Sequence, residues 1–197
     1  SPACLVLGDN ILHGPGLSAT LAECATLSEG AHIFGYRVRD AKRYGVVEID
    51  ENGNAISIEE KPEKPRSSFA VPGLYFYGPD VCDLAVQLKP SARGELEITD
   101  LNRRYLEQKR LKVTVLDRGY AWLDAGTHRS LIEASTYIEA IEERQGLKIG
   151  CLQEIAWRKG WISKEDFRRE AEAASGSSYG AYLAEVLERA ENEIAGG

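Results

Sequence analysis

Two aspartates that are far apart in the sequence each follow a segment typical of a buried strand. Asp9 comes after the apolar run at residues 4–7, and Asp124 follows Trp122 and Leu123 shortly before a glycine and a predicted helix start. Ligands of open α/β sheets bind beyond the carboxyl ends of the strands. Two carboxylates in such places can hold one Mg²⁺, which completes its coordination with phosphate oxygens and water. Each aspartate by itself is equally compatible with a turn or a helix cap.

A second candidate group lies around a predicted hairpin. Glu60 and Lys61 end an alternating strand and precede Pro62. A carboxylate can accept hydrogen bonds from two sugar hydroxyls, and an ammonium suits a phosphate as a point charge. Gly45, which follows Tyr44, lets a ligand approach the backbone or simply turns the chain. On spacing alone, a solvated ion pair at a strand end is the favoured explanation of Glu60 and Lys61.

The order of predicted elements indicates how these residues are positioned. A strand at 4–7, a helix at 17–27 and a strand at 31–38 predict an α/β fold, Rossmann-like, with a mostly parallel sheet and flanking helices. Strands at 44–50 and 55–60 flank an Asn-Gly turn and form a hairpin. A further strand at 71–77 completes a small β-rich lobe at about 44–77.

The rest of the chain is mainly helical. Helices are predicted at 79–88 and 98–108, a strand at 111–116, and a long helix from Thr127, a good N-cap. Ser163 and Asp166 have the spacing of a capping box. We therefore divide the chain into an α/β domain at 1–146 and a helical C-terminal extension at 147–197.

Composition excludes several classes of function. The 197 residues carry a net charge of -7, which argues against a nucleic-acid partner because phosphate neutralisation needs clustered basic residues. No apolar run reaches the length of a membrane span, and no signal-peptide pattern is present. The four cysteines are scattered without a CxxC pair, so we expect reduced thiols in a cytoplasmic protein rather than a zinc site.

Six sequence blocks occur in a fixed order, namely residues 5–10 (LVLGDN), 44–47 (YGVV), 59–62 (EEKP), 73–77 (GLYFY), 93–100 (RGELEITD) and 122–124 (WLD). In content and order they resemble the sugar nucleotidyltransferase family, most closely its glucose-1-phosphate thymidylyltransferase branch. They extend from residue 5 to residue 124, and six blocks in order are far more specific than any one of them.

The resemblance implies an enzyme that joins dTTP and glucose 1-phosphate, giving dTDP-glucose and pyrophosphate for dTDP-sugar (rhamnose) precursor synthesis. It implies Mg²⁺ bound by Asp9 and Asp124, with Lys61 as a third catalytic residue. The implied sugar-phosphate pocket is formed by Tyr44, Gly45, Glu60, Lys61, Val71 and Trp122. A second nucleotide-sugar site for feedback inhibition would involve Arg118, Arg144, Glu154 and Arg158, although helix-end arginines paired with glutamate explain these residues equally well.

One family feature is absent from this sequence. No glycine-rich loop precedes Leu5, whereas the family uses such a loop to cradle the triphosphate through backbone N–H groups. The resemblance therefore implies that the chain begins inside a longer protein and is inactive alone or forms half of a site. We also expect an uncovered sheet edge and uncovered apolar surface, with homo-oligomerisation through the uncovered face.

Two other functions are compatible with the sequence. A glucose-1-phosphate uridylyltransferase differs only in the base, and the residues that recognise the base lie largely in the absent segment. A non-catalytic module that binds a sugar nucleotide or a partner subunit is favoured by the missing loop. The retention of both Asp9 and Asp124 disfavours that module.

Overall fold

The computed structural model describes residues 1–195, so the last two residues of the predicted helical extension lie outside it. Within this range no helix combines the length and the hydrophobicity needed to cross a membrane. The strands are β1 (Ala3–Val6), β2 (Asn10–His13), β3 (Ala31–Arg37), β4 (Gly45–Ile49), β5 (Ala55–Glu60), β6 (Phe69–Ala70), β7 (Leu74–Tyr77), β8 (Leu111–Leu116) and β9 (Ala121–Asp124). The helices are α1 (Leu17–Cys24), α2 (Val81–Ala85), α3 (Ile98–Glu107), α4 (His128–Gln145), α5 (Leu152–Arg158), α6 (Lys164–Ala173) and α7 (Ser178–Ala195).

The main sheet has the strand order β1-β7-β3-β6-β4-β5, and β8 pairs with β3. The predicted α/β class is confirmed. The strand directions differ from the expected mostly parallel sheet, because β3 and β8 form a parallel pair whereas the other pairs of this sheet are antiparallel. β1 and β3 do run in the same direction, as their connection through α1 predicts, but β7 lies between them and is antiparallel to both.

The two central strands are buried on both faces and carry the core. Ile33 of β3 and Tyr75 of β7 pack with Leu101 and Tyr105 of α3 on one face. The alternate residues of the same strands belong to a second cluster on the other face, where α1 contributes Cys24. Successive side chains of a strand point to opposite faces, so the sheet is covered by helices on both sides.

β1 differs from its expected burial. The sequence predicts a strand buried on both faces, whereas all four residues of β1 are exposed. Leu5, Val6 and Leu7 keep 39%, 58% and 42% of their surface accessible. The reason is position, because β1 lies at the end of the strand order and pairs on one side only, with β7. The expected uncovered edge is therefore present in residues 1–195.

A second, two-stranded sheet was not predicted from the sequence. β2 and β9 pair antiparallel in the register Asn10 with Asp124 and His13 with Ala121. Residues 10–13 begin directly after Gly8 and Asp9 and are too few for a clear hydrophobic alternation. This pairing brings together segments that are more than a hundred residues apart in the chain.

The chain divides into two units, residues Ser1–Ala134 and Ser135–Gly197. The division falls within α4, earlier than the boundary at 146 that the sequence suggests. The second half of α4 belongs with the C-terminal helices because Glu142 accepts hydrogen bonds from Lys148 and from the backbone N–H of Ile149. In this second unit the predicted capping box of Ser163 and Asp166 is formed at the start of α6.

Candidate active site

The β2–β9 pair brings the two aspartates to one point. Asn10 is the register partner of Asp124, and the backbone N–H of Ala125 donates to the carbonyl of Asp9 at 2.7 Å. A methyl group built on Gly126 would lie 3.2 Å from both Asp9 Oδ2 and Asp124 Oδ1. The two carboxylates therefore converge on the space that a glycine leaves open.

Asn10 holds the residues around this point in place. Its Nδ2 donates to Asp9 Oδ1 at 2.8 Å. Its Oδ1 accepts from Trp122 Nε1 at 2.7 Å and from the backbone N–H of Gly73 at 2.8 Å. A single amide side chain thus connects the first aspartate, the aromatic residue of β9 and the loop before β7. No role was predicted for Asn10 from the sequence, although it directly follows Asp9.

The two carboxylates fit Mg²⁺ better than a metal that needs an all-protein ligand set. Among the described side chains, those of residues 1–192, no group of three or more His, Cys, Asp or Glu could hold a metal ion. Mg²⁺ is commonly bound by one or two carboxylates together with substrate phosphates and water. The converging oxygens of Asp9 and Asp124, with open space at Gly126, match that requirement.

The hairpin of β4 and β5 carries the second group of candidate residues. Gly45 is the register partner of Glu60, and the N–H of Lys61 donates to the carbonyl of Tyr44 at 3.0 Å. Lys61 has a φ of 41°, a left-handed conformation that is unusual for a residue with a side chain. Such backbone conformations are often found at functional sites.

Glu60 is oriented by three neighbours. Thr99, in the first turn of α3, donates a short hydrogen bond to Glu60 Oε2. Glu60 Oε1 lies 3.7 Å from Lys61 Nζ and 3.8 Å from Arg93 Nη1. A methyl group on Gly45 would lie 3.1 Å from Thr99 Oγ1 and 3.3 Å from Glu60 Oε2. The close approach of the Glu60 carboxylate therefore requires glycine at position 45. The sequence alone offered two explanations for this glycine, the approach of a ligand to the backbone or a turn of the chain.

Aromatic side chains form one wall beside these charges. The rings of Tyr44 and Trp122 are 4.9 Å apart, and Tyr36 packs edge-on against Trp122 at 5.7 Å. Burial, followed by the charge of Asp124, raises the pKa of the Tyr44 hydroxyl. Burial, followed by the charge of Glu60, also raises the pKa of Tyr75. Both phenols therefore stay neutral and can donate hydrogen bonds near neutral pH.

One cleft of about 220 Å³ brings the two groups together. Eight predicted residues line it, namely Asp9, Tyr44, Gly45, Glu60, Lys61, Val71, Trp122 and Asp124. The cleft also contains residues to which the sequence analysis gave no role, namely Leu7, Asn10, Arg43, Gly73, Tyr75, Ile98 and Thr99. Arg43 directly precedes Tyr44, and Thr99 lies in the RGELEITD block, so both could have been suspected from their neighbours.

The residues expected to form a regulatory site lie outside this cleft. Arg118 is in the first unit and lines a different cavity, together with Tyr36 and Phe69. Arg144 lies in the last turn of α4, in the second unit. Glu154 in that unit is ion-paired with Arg158 at 2.7 Å and accepts a hydrogen bond from the Tyr182 hydroxyl. These contacts within the helical unit account for the glutamate without a ligand.

Comparison with known proteins gives a consistent result over most of the chain. Residues 1–141 match the family model described as nucleotidyl transferase. The glucose-1-phosphate thymidylyltransferase of Neisseria gonorrhoeae is 53% identical over 184 residues, covering 93% of this chain and 64% of that protein. The Mycobacterium tuberculosis protein of the same name is 54% identical over 185 residues, again with 64% of its length covered. The chain thus spans somewhat less than two thirds of these curated relatives.

Solved structures show the same fold. A Bacillus anthracis crystal structure in complex with a sucrose, described as a glucose-1-phosphate thymidylyltransferase, has a TM-score of 0.61 at 42% identity, over 69% of this chain and 54% of that one. A UDP-glucose pyrophosphorylase complexed with UDP-glucose has a TM-score of 0.59 at 24% identity, over 71% of this chain and 56% of that one, which shows the fold alone. From the family match and the shared fold, the chain belongs to the nucleotidyl transferase family.

Proposed function

We propose that this chain supplies the metal and sugar-phosphate half of a glucose-1-phosphate thymidylyltransferase, which joins dTTP and glucose 1-phosphate and releases pyrophosphate. The observation that carries the proposal is the convergence of Asp9 and Asp124 in the same cleft as Glu60 and Lys61. The names of relatives with more than half of their aligned residues identical support the choice of substrates.

The residues of the cleft have distinct tasks in this reaction. Asp9 and Asp124 would hold Mg²⁺, which when bound lowers the repulsion between the two anionic substrates. Glu60 accepts hydrogen bonds from hexose hydroxyls, and Lys61 binds the phosphate of the sugar. An oxygen of that phosphate attacks the α-phosphorus of dTTP in line, the new P–O bond forms, and pyrophosphate leaves. No covalent enzyme intermediate is needed, because positioning and charge neutralisation lower the barrier.

The neighbours of Glu60 determine what it can bind. Thr99 uses one lone pair of Glu60 Oε2, and the cations of Lys61 and Arg93 lie within 4 Å of Oε1. The carboxylate is thereby oriented, with lone pairs left to accept from a sugar. Tyr44 and Trp122 offer an aromatic wall against which the apolar face of a hexose can pack.

The wider context belongs to the same proposal. The enzyme would act in the cytoplasm, in the synthesis of dTDP-sugars such as the rhamnose precursor, on small-molecule substrates and without a nucleic-acid or membrane partner. Feedback inhibition through Arg118, Arg144, Glu154 and Arg158 remains a prediction. A glucose-1-phosphate uridylyltransferase is the alternative within enzymes, and a non-catalytic sugar-nucleotide-binding module is the alternative outside them.

The first test is pyrophosphate release by the purified chain with dTTP, glucose 1-phosphate and Mg²⁺, against a control without the sugar. We expect no sugar-dependent release, because these 197 residues contain no glycine-rich loop ahead of Leu5 to hold the triphosphate. Sugar-dependent release would contradict the need for that loop. Repeating the assay with UTP would then decide between the thymidylyl and uridylyl reactions.

The metal assignment predicts the effect of Asp9→Asn. Replacing the carboxylate by a neutral amide removes one of two charged ligands, so Mg²⁺-dependent binding of dTDP-glucose should weaken by roughly tenfold or more. Isothermal titration with and without Mg²⁺ measures this. Asp83→Asn, at an exposed position of α2, is the matched control and should bind like the original chain. Equal metal dependence in both variants would favour the non-catalytic module.

The geometry at Gly45 predicts that Gly45→Ala weakens binding of glucose 1-phosphate. The added methyl would press on Thr99 Oγ1 and Glu60 Oε2 at 3.1 and 3.3 Å, so the carboxylate must shift. A loss of about tenfold in affinity is expected, equivalent to about 1.4 kcal/mol. Gly8→Ala is the control, since its added methyl meets no atom within 4 Å. An unchanged Kd for Gly45→Ala would show that Glu60 does not bind the sugar.

The exposed edge of β1 predicts a homo-oligomer. Unpaired strand edges pair with other strands, and a charge on the edge opposes this. Val6→Lys should therefore shift the chain from an oligomer to its monomer mass of 21.7 kDa in size-exclusion chromatography with light scattering. Val86→Lys, at a residue that is 83% exposed away from this edge, should leave the oligomer intact. A monomeric original chain at all concentrations would contradict the prediction.

A further inference from the structure

Two cysteines and a histidine lie together on the side of the sheet that α1 covers. Cys4 of β1 is opposite Phe76 of β7, and Phe76 is opposite His32 of β3. Residues directly opposite each other on paired strands point to the same face. Cys24, at the end of α1, belongs to the buried cluster that contains Phe76. None of these residues lines the cleft around Asp9.

Cys24 and His32 have the geometry of a thiol and its base. Cys24 Sγ lies 3.4 Å from His32 Nδ1 and 3.9 Å from Nε2, and His32 Nε2 lies 2.7 Å from Thr114 Oγ1. When Nε2 carries the ring proton and donates it to Thr114, Nδ1 is unprotonated and is the ring nitrogen nearer to the thiol. A base oriented by a third group is the arrangement that activates nucleophiles in proteins. The imidazole is also fixed by stacking on Phe34 at 5.6 Å.

Two cavities meet at Cys24. The larger, of about 390 Å³, is lined by Cys24 and His32, and the smaller, of about 190 Å³, is lined by Cys24 and Cys4. Cys24 itself is only 2% exposed, so a reagent reaches its sulfur by entering the larger cavity. Cys4 is exposed on the edge strand and lines the smaller cavity together with Cys24.

The larger cavity has charges suited to a zwitterionic ligand. Lys109, Lys112, Glu23 and Glu29 line it, and none of the four forms an ion pair with another side chain of residues 1–192. Arg110 lines the same cavity but is already paired with Asp80 at 2.8 Å. Free ammonium and carboxylate groups around one space match the carboxylates and amino group of a small peptide such as glutathione.

We propose that Cys24 and Cys4 form a thiol–disulfide site, in which His32 is the base and a zwitterionic low-molecular-weight disulfide of the glutathione class is the oxidant. His32 takes the Cys24 proton, and the sulfur attacks the disulfide, forming a mixed disulfide and releasing one small thiol. Cys4 then attacks the Cys24 sulfur, forms the Cys4–Cys24 bond and releases the second thiol. Two protein thiols are oxidised and one external disulfide is reduced to two thiols, so electrons and protons balance.

The electrostatics explain why a base is needed. Burial raises the pKa of the Cys24 thiol, so little thiolate is present before attack. Burial and the nearby Lys112 lower the pKa of His32, so its imidazole is neutral at pH 7 and can accept a proton. Glu23 acts in the opposite direction on His32, with a smaller effect. These pKa shifts indicate that the Cys24 thiol and the His32 imidazole are both neutral before the reaction, and that the proton moves from the thiol to the imidazole as the sulfur attacks.

The test uses the full chain equilibrated with glutathione disulfide and analysed by mass spectrometry of intact protein and of peptides. We expect a peptide that links Cys4 to Cys24. Cys4→Ser should trap Cys24 as a mixed disulfide with glutathione, and Cys82→Ser, a change at the other exposed cysteine, should leave the link unaffected. His32→Gln should slow link formation by at least roughly tenfold. Thr114→Val, which preserves side-chain shape, should slow it in the same direction.

Two results would overturn the proposal. The first is recovery of Cys4 and Cys24 only as thiols or as separate mixed disulfides after equilibration. The second is link formation in Thr114→Val as fast as in the original chain, which decides the role of the base even when His32→Gln does not fold. Neither readout depends on nucleotidyl transfer, so failure here leaves the proposed function standing.

Discussion

The site depends on one antiparallel pairing, between β2 and β9. Its register places Asn10 opposite Asp124 and so brings Asp9 beside a residue far along the chain. The site requires this register, because a shift of one residue in the β2–β9 pairing would turn the Asp124 side chain to the other face of the sheet. Asn10 reinforces the arrangement by bonding Asp9, Trp122 and the loop before β7 with one side chain.

The sugar side of the cleft depends instead on the contacts that surround the carboxylate of Glu60. Glu60 is held by Thr99 from α3 and by the cations of Lys61 and Arg93. Gly45 faces it across the hairpin because a side chain at that position would meet both oxygens of the Glu60–Thr99 contact. Glu60 and Lys61 look like a surface ion pair in the sequence. In the structure Glu60 is a hydrogen-bond acceptor held in a fixed orientation, because α3 packs against the hairpin strand β5.

The cleft and the thiol pair occupy different parts of one sheet. The cleft uses the hairpin and the end of β1, whereas Cys4 and His32 lie in the row of residues that crosses β1, β7 and β3 under α1. β1 takes part in both, since Cys4 lies on it and Asp9 follows it. Its edge away from β7 is unpaired, and Val6 keeps 58% of its surface accessible.

The sequence by itself determined the α/β class, the hairpin, the capping box at Ser163 and the family, because local patterns and short motifs carry that information. It also named eight residues of the cleft. Only the tertiary structure decided that β7 lies between β1 and β3, that β1 is an edge, and that Thr99 orients Glu60. These facts rest on contacts between residues distant in the chain, and no periodicity within one segment can specify such contacts.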